Sequence, residues 1–143
     1  MAKAYYSTLL SVPAPEVWAK IRDFNEDTWS GDVTKSWSEN KLGGSEVGNI
    51  RVIQVGDRLL RQRLIAYSDI DTFYTYEFVG QPSMNVQNFR ATLQVLPIVD
   101  GDQSFVQWYA TYDCAEEERQ KSHDFFVQGC ARWLAALRKQ LSK

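Results

Sequence analysis

From Lys3 to Val12 the chain mixes aromatic and β-branched residues, a composition that favours a pleated strand. Pro13-Ala14-Pro15-Glu16 breaks it. A proline and an acid in a first turn suit the start of a helix, because the missing N–H is one the helix leaves unpaired there. Val17, Trp18, Ile21 and Phe24 follow at helical spacing and predict a short amphipathic helix over Ala14–Phe24. Asn25–Ser30 leaves room for one more helical turn around Trp29. From Val33 to Tyr112 the hydrophobic period falls to two. Strands are expected over Val33–Lys41, Asn49–Val55, Arg58–Ser68, Thr72–Val79, Gln87–Val99 and Gln103–Cys114. Leu42–Gly48, Gly56-Asp57, Asp69–Asp71, Gly80–Asn85 and Asp100-Gly101-Asp102 turn the chain between them. The last segment, Glu116 to about Ser142, reads as one long helix. Glu116, Glu117 and Glu118 at its start and Arg138 and Lys139 at its end suit the helix dipole. Phe126, Cys130, Trp133, Leu134, Leu137 and Leu141 form its apolar stripe. Antiparallel strands framed by helices make an α+β fold, with the sheet bent around the terminal helix.

Charged residues reveal which way each strand faces. Arg61 and Arg63 oppose Leu60, Gln62, Leu64 and Ala66, which sets the second group inward. By the same reasoning Tyr74, Tyr76 and Phe78 face inward on the next strand, and Phe89, Ala91, Leu93 and Val95 on the one after. Val106, Trp108, Ala110 and Tyr112 share a face on the last. The inward surface therefore carries phenols and an amide among hydrocarbon. Each buried hydroxyl needs a partner, so tyrosines two residues apart point to a partly polar cavity between sheet and helix.

Composition limits what such a cavity serves. The chain has 143 residues, the size of one domain, with 44% hydrophobic and 24% charged residues, which excludes disordered and fibrous classes. A formal charge of −2 leaves no electrostatic footprint for nucleic acid. Stable membrane insertion is not expected, since no apolar run approaches the ~20 residues of a spanning helix. The N-terminus lacks the apolar core of a signal peptide, so a cytoplasmic address is expected. Cys114 and Cys130 are too few for a disulfide framework, and the lone His123 precludes a histidine-rich metal site. No metal and no cofactor is implied. Cys130 reads as a small buried hydrophobe, His123 as a rim residue, and Asp69 and Asp71 as turn caps. Gly43–Gly48 lacks the Lys-Ser/Thr of a phosphate loop. By contrast, five Trp, seven Tyr and seven Phe are plentiful, enough to line a ligand site.

In order along the chain, several segments resemble one superfamily. They are Val12–Trp18 with Ile21–Phe24, then Val47–Arg51, Arg63–Asp69, Val86–Leu93 and Gln107–Tyr112. Arg63–Asp69 resembles an "R-L-x-x-x-D" strand end, here one residue longer. Val86–Leu93 resembles "v-x-N-Y-x-A-T-l", with Phe89 in place of the tyrosine. Together they resemble the START-like, birch-pollen-allergen (SRPBCC) superfamily, in its polyketide cyclase/dehydrase and lipid transport branch. The resemblance covers nearly the whole chain. It implies a helix-grip fold: a curved seven-stranded antiparallel sheet around a long C-terminal helix, with one or two short helices after the first strand. It also implies a hydrophobic cavity between sheet and helix, with the Gly43–Gly48 and Gly80–Asn85 loops as lids. Arg51 stands where hormone-receptor and lachrymatory-factor-synthase-like relatives place a pocket arginine, and Gln62 where they place a glutamate.

Glutamine hydrogen-bonds but does not titrate, so Gln62 cannot act as general acid or base. The expected function is therefore binding of a small hydrophobic or aromatic molecule in a pocket of about 300–1,000 Å³. Trp37, Ile53, Leu60, Leu64 and Phe78 would wall it from one half of the sheet, and Tyr74, Tyr76, Phe89, Leu93 and Trp108 from the other. Phe126, Cys130 and Trp133 would close it from the helix, and Arg51 and Gln62 would orient a polar end. The alternatives are a cofactor-free cyclase, dehydratase or isomerase using Tyr74, Tyr76 or Arg51, and a protein-interaction module like quinone-carrier relatives. Either a monomer or a homodimer is compatible.

Overall fold

The computed structural model describes residues 1–142. Strand β1 (Ala2–Leu10) leads into helix α1 (Ala14–Ile21), a 3₁₀ turn (Thr28–Ser30), and then six strands. These are β2 (Val33–Ser38), β3 (Ile50–Val55), β4 (Arg58–Ser68), β5 (Phe73–Val79), β6 (Gln87–Ile98) and β7 (Gln103–Asp113). A second 3₁₀ turn (Glu116–Glu118) opens into helix α2 (Arg119–Leu141). All pairings are antiparallel, and the order across the curved, open sheet is β1-β7-β6-β5-β4-β3-β2. The helix-grip architecture implied by the sequence is the one observed. No helix among the described residues is long and apolar enough to cross a membrane.

The strand parity expected from the charges holds along most of the sheet. Leu64, Leu93, Val106 and Ala110 point inward and meet Leu134 and Leu137 of α2, all at most 1% exposed. Each buried leucine contributes about 1.5–3 kcal/mol relative to remaining exposed. Helix α1 packs Val17, Trp18 and Ile21 into the same core. Pro13 starts it, its carbonyl accepting the Glu16 and Val17 N–H groups.

Three strands depart from simple alternation, each at a bulge; the slip in β6 lies between Gln87 and Arg90, and those in β4 and β2 change which residues face inward. In β4 the register slips between Leu64, opposite Tyr76, and Ala66, opposite Thr75. The residue by which Arg63–Asp69 exceeds the resembling motif is therefore accommodated as a β-bulge. Beyond it the parity flips: Ala66, expected inward, joins Thr75 on the outer face, while Tyr67 turns inward opposite Tyr74. Tyr67 stacks on Tyr74 at 6.5 Å and donates its hydroxyl to the Arg22 carbonyl at 2.8 Å. Burial pushes the Tyr67 phenol up to about 12. Asp69, at the end of this strand, does more than cap a turn. It accepts hydrogen bonds from Trp18 Nε1 (2.8 Å) and from Arg22 Nε and Nη2 (3.1 and 2.7 Å), fastening α1 to the sheet.

In β2 the register slips between Val33 and Lys35. Val33 faces inward opposite Val55, but Trp37 pairs with Val52, whose other neighbour is the outward Arg61. Trp37 thus lies on the outer face, where Lys35 Nζ sits 5.3 Å from its ring.

Helix α1 stops at Ile21 rather than Phe24 because the Phe24 N–H is donated to the Gly44 carbonyl, 3.0 Å away. Gly44 is a place where backbones nearly touch. A Cβ there would stand 1.8 Å from Asp23 Oδ1 and 3.0 Å from the Phe24 nitrogen. Asp23 could yield only by releasing the Asn25 N–H that Oδ1 accepts at 3.0 Å. Gly44→Ala is accordingly expected to destabilise the protein by about 1–3 kcal/mol, the usual cost of overpacking. Urea denaturation measures it, and an unchanged midpoint would contradict the close approach.

Candidate ligand cavity

Arg51 and Ile53 of β3, Leu60 and Gln62 of β4, Tyr76 and Phe78 of β5, Phe89 of β6 and Trp108 of β7 face one hollow. Phe126 and Trp133 of α2 face it from the other side, and its volume is about 150 Å³. That is smaller than the expected range, and the aromatic packing explains why. Trp133 lies 5.2 Å from Trp108, Phe126 6.5 Å from Trp108, and Phe78 5.1 Å from Phe89, ring centre to ring centre. Trp108 Nε1 donates to the Tyr76 hydroxyl at 3.2 Å, so the phenol that lines the hollow accepts from an indole. Arg58, Phe125 and Arg132 are exposed lining residues, and the hollow opens to solvent beside them.

One end is polar. Arg51 is only 1% exposed, and its Nε donates to Gln62 Oε1 at 2.8 Å while Nη1 donates to the Phe24 carbonyl at 3.0 Å. The guanidinium lies 4.0 Å from the centre of the Phe24 ring. Its counter-ion is Asp27, at the head of the first 3₁₀ turn, with Oδ1 3.5 Å from Nη1. Asp27 is 6% exposed and lines the hollow. Its backbone is locked, its N–H donating to Ser36 Oγ (2.9 Å) and its carbonyl accepting from Ser30 Oγ (2.9 Å). Burial raises the Asp27 carboxyl above its ordinary value, and the attraction of Arg51 only partly opposes this. Burial works against the Arg51 charge, yet Asp27, Tyr74 and Tyr76 together hold it above the usual arginine value. Desolvation likewise raises the Tyr76 phenol, which stays neutral at physiological pH.

The mouth has its own latch. Asp32 Oδ2 accepts from Arg132 Nε and Nη2 (3.0 and 2.7 Å) and from Trp133 Nε1 (2.7 Å). The Arg132 hydrogen bonds lower the Asp32 carboxyl despite partial burial, with Trp133 adding to the effect. Trp133 lies back over Gly129, where a Cβ would come within 2.8 Å of the ring. A glycine in mid-helix costs about 1 kcal/mol against alanine, and here it leaves the seat that fixes a cavity wall.

Several sequence-predicted wall residues lie elsewhere. Trp37 is on the outer face. Leu64, Leu93 and Cys130 belong to the solid core next to the hollow, and burial pushes the Cys130 thiol well up. Tyr74 is enclosed by Trp18 (6.2 Å), Phe24 (5.4 Å) and Tyr67 (6.5 Å), and does not line the hollow. The Gly43–Gly48 loop does not line it either. Asn49 is 0% exposed and binds that loop inward, with Nδ2 donating to the Gly43 carbonyl (3.0 Å) and to Asn25 Oδ1 (2.7 Å). Ser83 and Met84, from the other expected lid, do line it. His123 sits half-buried beside Asp124, away from it. Sequence reasoning missed Asp27, Asp32 and Arg132. The Asp27-Thr28-Trp29 turn offers no periodicity to orient its side chains, so only the folded approach to Arg51 brings Asp27 to light.

Removing one member of a buried ion pair leaves the other charge without compensation. Arg51→Met is expected to cost about 3–5 kcal/mol at neutral pH. Because the Asp27 carboxyl is already raised, the loss should shrink as pH falls and it becomes neutral. Adding Asp27→Leu should recover most of it. Urea denaturation at neutral and mildly acidic pH tests this, and a loss independent of pH would contradict it.

Comparison with other proteins agrees with this architecture. A solved structure from Thermobifida fusca is 26% identical, covering 98% of this chain and 93% of that one, with a TM-score of 0.87. One from Nitrosospira multiformis is 25% identical, covering 97% and 95%, with a TM-score of 0.82. The XoxI protein of Bacillus cereus, 24% identical over 98% and 95%, has a TM-score of 0.84 and shares the fold. No curated protein matches the sequence. Residues 1–142 match the family described as polyketide cyclase/dehydrase and lipid transport, and the chain, with its seven-stranded grip and its hollow against the last helix, belongs to that family.

Proposed function

We propose that the protein binds a small hydrophobic, predominantly aromatic molecule in the hollow between the sheet and α2. The observation that carries this reading is the wall chemistry: a 150 Å³ space bounded by Phe78, Phe89, Trp108, Phe126 and Trp133 with a charged pair at one end. A concave, mostly apolar space with a few convergent polar groups is the usual form of a small-molecule site. It suits about one ring and a short substituent. At about 0.6 kcal/mol per heavy atom, a ligand of about ten such atoms would bind in the tens of micromolar.

Isothermal titration with single-ring aromatics tests the reading. Leu60 stands in the wall opposite Ile53. Leu60→Phe is expected to fill the space, weakening binding about tenfold or more while the circular dichroism spectrum stays native. Wild-type protein that takes up no single-ring compound, or a Leu60→Phe variant that binds as well as wild type, would overturn it.

A second reading, catalysis of a cyclase, dehydratase or isomerase type, is favoured by Asp27. It supplies in the hollow the titratable carboxyl that Gln62 does not. Turnover of β-hydroxycarbonyl substrates that disappears in Asp27→Asn would establish it; binding without turnover leaves the carrier.

A further inference from the structure

Resting on that binding reading, we propose that the polar end of the hollow receives an uncharged hydrogen-bond donor. The occupant is then a phenol or aryl alcohol whose O–H is given to the Asp27 carboxylate, and aryl carboxylates are excluded. The basis is how the two charges are used. Among the described residues no donor makes a hydrogen bond to the Asp27 carboxylate, and its ionic contact is the single 3.5 Å approach to Arg51 Nη1. An ionised carboxylate has about four lone-pair sites, and no donor among the described residues fills those that face the hollow. Asp27 is more than nine-tenths buried and faces the hollow, so an occupant is the group placed to fill them.

Arg51 is partly committed elsewhere. Its Nε is on Gln62, its Nη1 on the Phe24 carbonyl, and its face on the Phe24 ring. A ligand carboxylate would meet a guanidinium already paired with Asp27, and would put a second anion beside that carboxylate. A ligand ammonium would instead crowd Arg51. Each like-charge contact is unfavourable in a site screened from water, so a neutral donor is what the pair accepts. The other charges nearby do not upset the balance: Asp32 and Arg132 at the mouth neutralise one another.

The full chain would be titrated calorimetrically at neutral pH with 4-ethylphenol, 4-ethylanisole, ethylbenzene and 4-ethylbenzoate. They share a ring and chain and differ in donor and charge. The phenol should bind about tenfold or more tighter than the anisole and ethylbenzene, with the benzoate weakest. In Asp27→Asn the order should invert. The phenol loses its advantage, while the benzoate, facing an unneutralised Arg51, gains about tenfold. If that variant does not fold, the wild-type order alone decides. Ethylbenzene or anisole bound as tightly as the phenol, or the benzoate bound tightest, overturns the inference and leaves the binding reading intact. No binding by any of the four overturns both.

Discussion

A guanidinium almost wholly withdrawn from water is the constraint around which this molecule is arranged. Arg51 sits on the concave side of the sheet because its strand alternates, and its charge persists there chiefly because Asp27 faces it. That requirement reaches back through the chain. The turn carrying Asp27 must be held against β2, which Ser36 does by donating its hydroxyl to the Asn25 carbonyl and receiving the Asp27 N–H. The connection before it is clamped by Asn49 and by the touching backbones of Gly44 and Phe24. Loop, turn and strand thus form one polar frame on one flank of the core.

The opposite flank is hydrocarbon and aromatic. Leucines and alanines fill the space between β1, β6, β7 and α2, but large rings crowd the part nearest the polar frame and cannot close it completely. The hollow is where these two kinds of packing meet. Filling it with a side chain would bring more apolar surface against a buried ion pair, whereas a small molecule with one polar end satisfies both walls at once.

Most of the scaffold was legible in the sequence because period-two alternation with arginines on one face leaves little freedom in strand orientation. β4 starts and ends where its pattern says, and the inward faces of β5, β6 and β7 follow their tyrosines, phenylalanines and alanines. What escaped were the bulges. A single extra residue in β2 turned Trp37 outward, and another in β4 exchanged Ala66 for Tyr67. Such a slip leaves no trace in local hydrophobicity, since both neighbours suit a strand. The site was half legible for the same reason. Residues on regular strands, Arg51, Gln62 and Tyr76, were found, whereas Asp27 and Asp32 in turns and the exposed Arg132 of α2 were not. Gly129 stands in the middle of a helix, and its use shows only when the Trp133 ring is seen lying across it.

The account stands on a hollow that is open, aromatic and polar at one end. A crystal structure of the protein soaked with 4-ethylphenol tests it most directly. It predicts a ring between Phe89, Trp108 and Trp133, with the hydroxyl oxygen within hydrogen-bonding distance of the Asp27 carboxylate. A cavity closed by collapse of Trp133 onto Leu60, or the compound found only on the outer surface, would contradict it.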